Sequence, residues 1–281
     1  MSETAQSFVN KAKELPVMPP IAAEIIRKCE NPNTEVSALI QLISRDAALA
    51  VRVLKIANSS FYSAARKIET LQQAIVLLGY STLRSIVVAA SLRDVFSRFG
   101  LSERLLWEHS VAAAIAATTV ARQTGGRARD EAFVGGLVHD IGKLLLHFQA
   151  EKEYQEVMRS VYAGEQEALE AEQDAFGFDH TEVGALVLEK WRLPEELVEA
   201  IGCHHNPRAT KTGEGARKLA SLIEVADRMC LREGYGRRKP SPELDPFDCD
   251  GAEILGLEAS SMDELLELFR GAYDAEKAIF S

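Results

Sequence analysis

Apolar residues recur along most of this chain at the spacing of one face of an α-helix. The alternating apolar and polar runs that would indicate β-strands between turn residues are absent from the sequence. The pattern therefore predicts an all-α fold, with short helices packed as a bundle in the first half.

Three helices of the first half are expected to begin at polar residues suited to N-capping, which are Thr34, Asp46 and Thr70. The third is expected to stop at Gly79, where a left-handed C-cap residue is favourable. A more apolar helix should follow from Ser81.

A break at Phe99-Gly100 predicts a boundary between two parts. Residues 1–100 would form an N-terminal helical bundle, packed against a helical core of residues 101–281. Within the second part we expect an interruption at Thr124-Gly125-Gly126. A Gly/Pro-rich stretch after Arg232 should precede a last amphipathic helix, from about Ser261 to Ala278.

Composition and charge narrow the classes of protein to consider. The chain has 281 residues, of which 47% are hydrophobic and 26% are charged, so a sizeable core is expected. Its formal net charge of −10 makes nucleic acid an unlikely partner, because sequence-independent binding to phosphates needs a basic surface.

The sequence also supports expectations about the cellular location of the protein and the redox state of its cysteines. The N-terminus lacks a secretory pattern, and no apolar run approaches the roughly 20 residues that a membrane span needs. We therefore expect a cytoplasmic protein that does not enter a membrane. The four cysteines form no CxxC pair, which favours reduced thiols over a disulfide framework or a zinc ribbon.

Seven residues with metal-binding side chains stand out in the second half. Each lies within or beside an apolar helical stretch, and they are His109, His139, Asp140, His180, His204, His205 and Asp227. Imidazole nitrogens and carboxylate oxygens suit Zn, Fe, Mn, Ni or Co. A single histidine on an apolar helix is more often a hydrogen-bonded core residue than a ligand.

The combination of seven such residues favours a metal site, because packing alone does not account for the adjacent pairs His-Asp and His-His. The sixth histidine, His147, fits no pattern and is interpreted as structural or surface. Lys143 is either a solvated lysine on a helix face or a cation directed at a phosphate. Asp140 and Asp227 have an alternative role as structural partners of Arg or Lys.

Several segments carry a likeness to one family of bacterial signalling proteins: LPVMPPIAAEII, SRDAALAVRVLKIANSSFY, IETLQQAIVLLGYSTLRSIVVAA, WEHSVAAA, GGLVHDIGKLLL, HTEVGALVLEKWRLPEELVEAI and HH. At HDIGK the sequence resembles the HD superfamily of metal-dependent phosphohydrolases. With the first half included, over roughly residues 10 to 235, it resembles the HDOD family. The more specific markers are residues 58–62 and the LGY turn at residues 78–80.

The resemblance implies an N-terminal bundle against an HD-like core, acting in signal transduction. By likeness to catalytic HD proteins, His109, His139, Asp140 and Asp227 would hold one divalent metal ion. The second ion would be held by His180, His204 and His205, with Asp140 bridging. Many HDOD proteins have lost some of these residues, whereas the set here is complete.

Two functions follow from the resemblance. The first, which the family likeness favours, is a regulatory protein that binds a signalling partner or a small phosphorylated ligand, with or without metal. The second is a metal-dependent phosphohydrolase in which Asp140 bridges two ions and Lys143 steadies negative charge on the phosphate. Hydrolysis of cyclic di-GMP is disfavoured, because the chain continues HHNPRATKTGEG where the HD-GYP type carries HHExxDGxGYP.

A third hypothesis is a helix-turn-helix reader of DNA at TLQQAIVLLGYSTLRSIV. The apolar run at residues 86–90 argues against it, because a recognition helix needs polar side chains to contact the groove.

Overall fold

The structure is a computed structural model, and it describes residues 4–12, 20–29, 31, 33–59, 67–96, 101–125, 129–236 and 239–280. Within these ranges it contains helices and no strand, which confirms the all-α prediction. The expected break at Phe99-Gly100 and most of the marker at residues 58–62 lie outside the described residues.

Five helices form the first part of the chain: α1 (Ala5–Lys11), α2 (Pro20–Cys29), α3 (Val36–Ile43), α4 (Ala47–Ala57) and α5 (Leu71–Phe96). Ten follow: α6 (Leu101–Gln123), α7 (Arg129–Val138), α8 (Ile141–Gln149), α9 (Glu151–Ala163), α10 (Ala168–Phe176), α11 (His180–Lys190), α12 (Glu195–Gly202), α13 (Glu214–Glu233), α14 (Asp250–Leu255) and α15 (Met262–Phe280). Short 3-10 turns lie at Pro207–Ala209 and Ala259–Ser261.

Two of the three expected N-caps are confirmed. The carboxylate of Asp46 accepts the Leu49 amide at 3.0 Å, and the hydroxyl of Thr70 accepts the Gln73 amide at 3.1 Å. Thr34 is not the cap of α3, because the helix begins one residue later, at an N-cap residue Glu35 that makes no side-chain capping bond. The Thr34 carbonyl instead accepts the Tyr80 hydroxyl.

As predicted, a helix stops at Gly79: α5 consists of two helical arms that meet at this glycine. Its φ of 80° needs glycine, but its ψ of 176° is extended rather than left-handed helical, and the helix resumes at once. The axis turns by 117° between Leu71–Tyr80 and Thr82–Val88. Ile86, Val87 and Val88 are buried in the core, so this arm offers no recognition surface at those positions.

The first helix packs on the second part of the chain, not on the N-terminal bundle. Phe8 lies against Phe176 and Phe178, with ring centroids 6.3 and 5.3 Å away. The Lys190 ammonium and the Gln149 amide donate to the carbonyls of Val9 and Phe8. An aromatic cluster at α10 and α11 therefore binds α1 to the second part of the chain, while the boundary at residue 100 stays a prediction.

The remaining helices of the first part share a continuous apolar core with the second part. Near the C-terminus, the last helix begins at Met262, close to the predicted start. Among the described residues, no single helix has the length and apolar character to cross a membrane; the bent pair in α5 meets that test by length and composition alone.

Candidate metal centre

The structure brings all seven predicted ligands to one place. His109 lies on α6, the pair His139-Asp140 forms the turn between α7 and α8, and His180 is the first residue of α11. The remaining three come from further along the chain: His204 and His205 follow α12, and Asp227 lies on α13. The cluster therefore brings together five segments that are separate in sequence.

The ligand atoms form two groups with no residue in common, and a third group, His139, Asp140 and His204, shares one residue with each of them. One contains His109, His139 and Asp227, and the other contains His180, His204 and His205; in each, all three ligand atoms lie within 4.8 Å of one another. In the first group, Nε2 of His109 is 2.9 Å from Oδ1 of Asp227. In the second, Nε2 of His180 is 3.2 Å from Nε2 of His205.

Asp140 lies between the two groups. Its Oδ2 is 3.5 Å from Nε2 of His109 and 3.3 Å from Nε2 of His139. Its Oδ1 faces the other way and is 3.4 Å from Nε2 of His180. Each group of histidines thus has one oxygen of the same carboxylate beside it, which is the placement of a bridging ligand.

The outer ring nitrogens of four histidines are fixed by acceptors. Nδ1 of His139 donates to the Gly136 carbonyl and Nδ1 of His204 donates to the Ile201 carbonyl, both at 2.7 Å. Nδ1 of His109 lies 3.3 Å from the Tyr235 carbonyl, and Nδ1 of His180 lies 2.6 Å from a carboxylate. Because these groups only accept, the proton of a neutral imidazole stays on Nδ1 and the Nε2 lone pair faces the cluster.

Three buried atoms of the cluster lack a hydrogen-bond partner in the described structure: Nε2 of His139, Oδ1 of Asp140 and Nε2 of His204. The side chains of all three residues are at most 1% exposed. An unpaired polar atom at such a depth costs about 1–3 kcal/mol. His139, Asp140 and His204 also offer ligand atoms that lie within 4.8 Å of one another, so cations bound at this point would satisfy the unpaired atoms.

Two glycines allow this approach of helices. A Cβ at Gly136 would lie 2.5 Å from the carbonyl oxygen of Ala113, where α7 crosses α6. A Cβ at Gly142 would lie 2.0 Å from the carbonyl oxygen of His180, where α8 crosses α11. Both contacts are with backbone atoms, which cannot move aside as a flexible side chain could. Only glycine therefore fits at these two positions of the motif GGLVHDIG, and the His-Asp pair between them lies against two neighbouring helices.

Two of the predicted ligand side chains lie at helix N-termini, and only one of the two helices is capped by a side-chain hydrogen bond. The Asp179 carboxylate accepts the backbone amides of Thr181 and Glu182 and so begins α11 at His180. Asp140 occupies the equivalent N-cap position of α8 but makes no side-chain capping bond. Its carboxylate is turned into the cluster instead.

The pKa of His139 is shifted in the opposite direction from those of His204 and His205. Burial alone would lower the pKa of His139, but the negative charges of Asp140 and Asp227 outweigh it and raise that pKa. Burial, together with the neighbouring histidines, holds the pKa of His204 well below its usual range and lowers that of His205 to about 4. His204 and His205 are therefore neutral at pH 7, as metal ligands must be.

Lys143 matches neither of its two sequence interpretations in full. Its ammonium is 2.8 Å from Oδ2 of Asp140, and its side chain is 21% exposed. Burial would lower the lysine pKa, but the facing Asp140 carboxylate raises it, so the group is charged. The lysine is thus an ion-pair partner of the bridging aspartate that still reaches the surface. His147 lies outside the groups of ligand atoms.

Sequence reasoning missed the residues that orient the ligands. The buried carboxylate of Glu172 accepts from Nδ1 of His180 at 2.6 Å, from the His180 amide at 2.8 Å and from the Tyr154 hydroxyl at 3.1 Å. The Tyr235 carbonyl faces His109 from the segment after α13. An acidic residue on the apolar side of α10 was a weak clue to Glu172, whereas a backbone carbonyl leaves no trace in a sequence.

Comparison with known proteins yields one family and several relatives. The sequence model of the HDOD domain matches residues 15–207. An uncharacterized protein of Treponema pallidum (strain Nichols) is 25% identical over 234 residues, which are 80% of this chain and 44% of that protein. The chain therefore spans less than half the length of this curated relative.

Two solved structures share the fold over nearly their whole length. An HDOD domain protein of unknown function from Geobacter sulfurreducens is 26% identical, with a TM-score of 0.76 and 96% of each chain covered. A protein of Shewanella amazonensis SB2B, named as a candidate phosphohydrolase, is 24% identical, with a TM-score of 0.75 and 100% and 99% of the two chains covered. At that identity the second likeness concerns the fold alone.

Proposed function

This chain belongs to the HDOD family, and from that premise we propose that its His/Asp centre binds two divalent transition-metal ions and hydrolyses a phosphoester in signal transduction. The observation that carries the proposal is the convergence of three buried, unpaired ligand atoms from His139, Asp140 and His204. Sequence alone favoured a regulatory protein, whereas the complete and convergent ligand set favours catalysis.

The donor set fits divalent transition metals. Five imidazoles and two carboxylates suit Fe, Mn, Zn, Ni or Co, and all but one of the seven side chains are buried. His109, His139 and Asp227 would hold one ion, and His180, His204 and His205 the other, with Asp140 shared. When bound, two such ions supply charge stabilisation to a phosphoryl group and lower the pKa of a water.

The residues of the chain contribute positioning and charge. The carbonyls of Gly136 and Ile201 and the carboxylate of Glu172 hold three imidazoles in the tautomer that faces the centre. The ammonium of Lys143 lies where it can offset negative charge on a phosphoryl oxygen. In the reaction, a water oxygen bonds to phosphorus, the ester P–O bond breaks, and one proton passes to the leaving oxygen.

Metal content tests the proposal first. Native protein purified without chelator or affinity tag is compared, by elemental mass spectrometry, with the double variant His139→Ala/Asp140→Ala. We expect close to two ions per native chain and loss in the double variant. His147→Ala is the matched control, because it removes a histidine from α8 outside the ligand groups and should keep its metal.

Turnover tests the catalytic half. The metal-loaded native protein is assayed with p-nitrophenyl phosphate and bis(p-nitrophenyl) phosphate, and Asp140→Asn should abolish release of p-nitrophenol while the helical circular dichroism stays near native. A well-folded native protein without metal would contradict the whole proposal. A metal-loaded protein without turnover of either ester would contradict hydrolysis alone.

In that last case a second function applies, a regulatory protein that binds a signalling partner. The observation in its favour is an exposed apolar pair, Val76 and Leu77, which are 67% and 64% exposed just before the bend at Gly79. The double variant Val76→Ser/Leu77→Ser should then lose a signalling output that Asp140→Asn retains.

A further inference from the structure

A pocket opens directly beside the metal centre. It lies between α6, α8 and α9, with the segment after α13 closing one side, and its cavity volume is about 110 Å³. His109 and Asp140 form part of its wall, and Lys143 stands beside them. Any molecule that fills the pocket therefore contacts the bridging aspartate and its lysine.

The rest of the pocket is largely apolar. Six aliphatic side chains from three helices line it: Leu105, Leu106, Leu144, Val157, Met158 and Val161. Several of these remain partly exposed to the pocket space. A concave apolar wall next to a few polar groups is the usual form of a site for a small organic ligand, since filling it removes apolar surface from water.

The charged groups of the pocket are few and lie at one end. Lys143 is the only lysine or arginine among the described residues that line it, and it is paired with Asp140. The carboxylate of Glu172 is already held by His180 and Tyr154. Beyond the metal ions, a di- or triphosphate chain would meet no second lysine or arginine among the described lining residues, whereas one phosphoryl group at the metal end would meet the ions and the single ammonium.

We propose that this pocket binds an amphipathic organic phosphate, with one phosphoryl head at the metal centre and Lys143, and an aryl or branched alkyl body against the α6–α9 wall. The inference rests on the proposed function, because the head is taken to lie at the metal ions. It adds the substrate class: a phosphoester of an apolar alcohol or phenol rather than a nucleotide.

Calorimetric titration of the metal-loaded protein tests the apolar half of the site. The probes are phenyl phosphate and inorganic phosphate, which share a head and differ in the body. Burial of the phenyl ring should make phenyl phosphate bind on the order of tenfold more tightly. Glycerol 3-phosphate, which has a polar body of similar size, should bind no more tightly than inorganic phosphate.

Two substitutions in the pocket wall and one outside it test whether the pocket causes the preference for phenyl phosphate. Met158→Gln keeps the length of a partly buried pocket side chain and makes it polar, so the preference for phenyl phosphate should fall several-fold. Val161→Thr, an isosteric change in the same wall, should reduce it in the same direction. Met262→Gln is the control, because it makes the same exchange at a partly buried methionine outside the pocket and should leave both affinities unchanged.

The outcomes separate this inference from the function on which it rests. Two results would overturn the proposed amphipathic ligand and leave the metal-dependent function standing. One is equal affinity for phenyl phosphate and inorganic phosphate in protein that contains its metal. The other is a preference for phenyl phosphate that Met158→Gln does not change. Protein that takes up no metal and binds neither probe would overturn both. A preference that needs the metal and falls in both pocket variants would support both.

Discussion

A histidine binds a metal through one nitrogen, and its other nitrogen decides whether that lone pair is available. In this protein the second nitrogen of His139 and of His204 faces a carbonyl, and that of His180 faces the carboxylate of Glu172. A charged acceptor does more than fix the tautomer, because it also makes the imidazole a stronger donor to the metal.

Glu172 should therefore act as a positioning residue. Glu172→Gln removes its charge while retaining its shape, and we expect the affinity for metal to fall by about 10- to 100-fold. Competition with a chelator of known affinity measures the change. Glu170→Gln, at an exposed site on the same helix, should have no effect. Unchanged affinity in Glu172→Gln would mean that His180 does not depend on this carboxylate.

Cys249, before α14, gives a prediction of pH dependence. Burial, together with the charge of Glu224, raises the pKa of its thiol from 9.0 to about 11. Only the thiolate is alkylated, so at pH 8 the folded chain should react with iodoacetamide about a hundredfold more slowly at Cys249 than the unfolded chain.

The rate at Cys249 should then rise about tenfold for each pH unit up to pH 11. Peptide mass spectrometry separates this cysteine from the other three. Fast alkylation of folded protein at pH 8 would contradict the raised pKa.

At the scale of elements, the turn between α7 and α8 is the centre of the site. It carries His139 and Asp140, and the glycines on either side let α7 meet α6 and let α8 meet α11. Since the distance between ligands from different helices depends on these contacts, the glycines belong to the site although they bind nothing.

Gly142→Ala should destabilise the protein and its metal site together. The added Cβ would clash with the His180 carbonyl and force α8 away from α11, at a cost of about 3 kcal/mol. Urea denaturation measures the free energy of unfolding, and elemental mass spectrometry measures retained metal.

Gly271→Ala is the control for that substitution. An added Cβ there meets no atom within 4 Å, and the residue lies in the interior of α15. We expect this variant to be more stable by about 0.5–1 kcal/mol, because alanine favours a helix more than glycine does. Loss of stability in Gly271→Ala, or none in Gly142→Ala, would contradict the role assigned to close helix contact.

At the scale of the whole molecule, the cluster joins helices from residues 101 to 233 at one buried point. The segment after α13 reaches back to His109 through the Tyr235 carbonyl, and α1 reaches across to α11. Without a cation, the unpaired ligand atoms are a cost of folding, so metal binding and folding should be linked.

Removal of metal should therefore lower global stability. At a free metal concentration of 100 times Kd, binding to the folded chain alone adds about 2.7 kcal/mol to the free energy of unfolding. Urea denaturation with and without a chelator should show a loss of about that size in native protein. His139→Ala/Asp140→Ala should show none. Equal stability of native protein in both conditions would contradict the linkage.

Much of the fold was predictable from local features. Helical periodicity indicated an all-α protein, and the side chains of Asp46 and Thr70 determined where two helices begin. Thr34 is not the cap of α3, which begins after Glu35, and its carbonyl accepts the Tyr80 hydroxyl from 46 residues away, a contact that local sequence does not reveal. The packing of α1 could not be predicted for the same reason, since it depends on aromatic side chains about 170 residues further on.

The sequence by itself determined the helical class and singled out seven residues with metal-binding side chains, because periodicity and donor chemistry are properties of residue types in order. Only the tertiary structure decided that Asp140 lies between two groups of histidines, that Glu172 and a Tyr235 carbonyl hold the imidazoles, and that an apolar pocket opens beside them. These features depend on distances between helices remote in the chain, and such distances are set by packing rather than by local sequence.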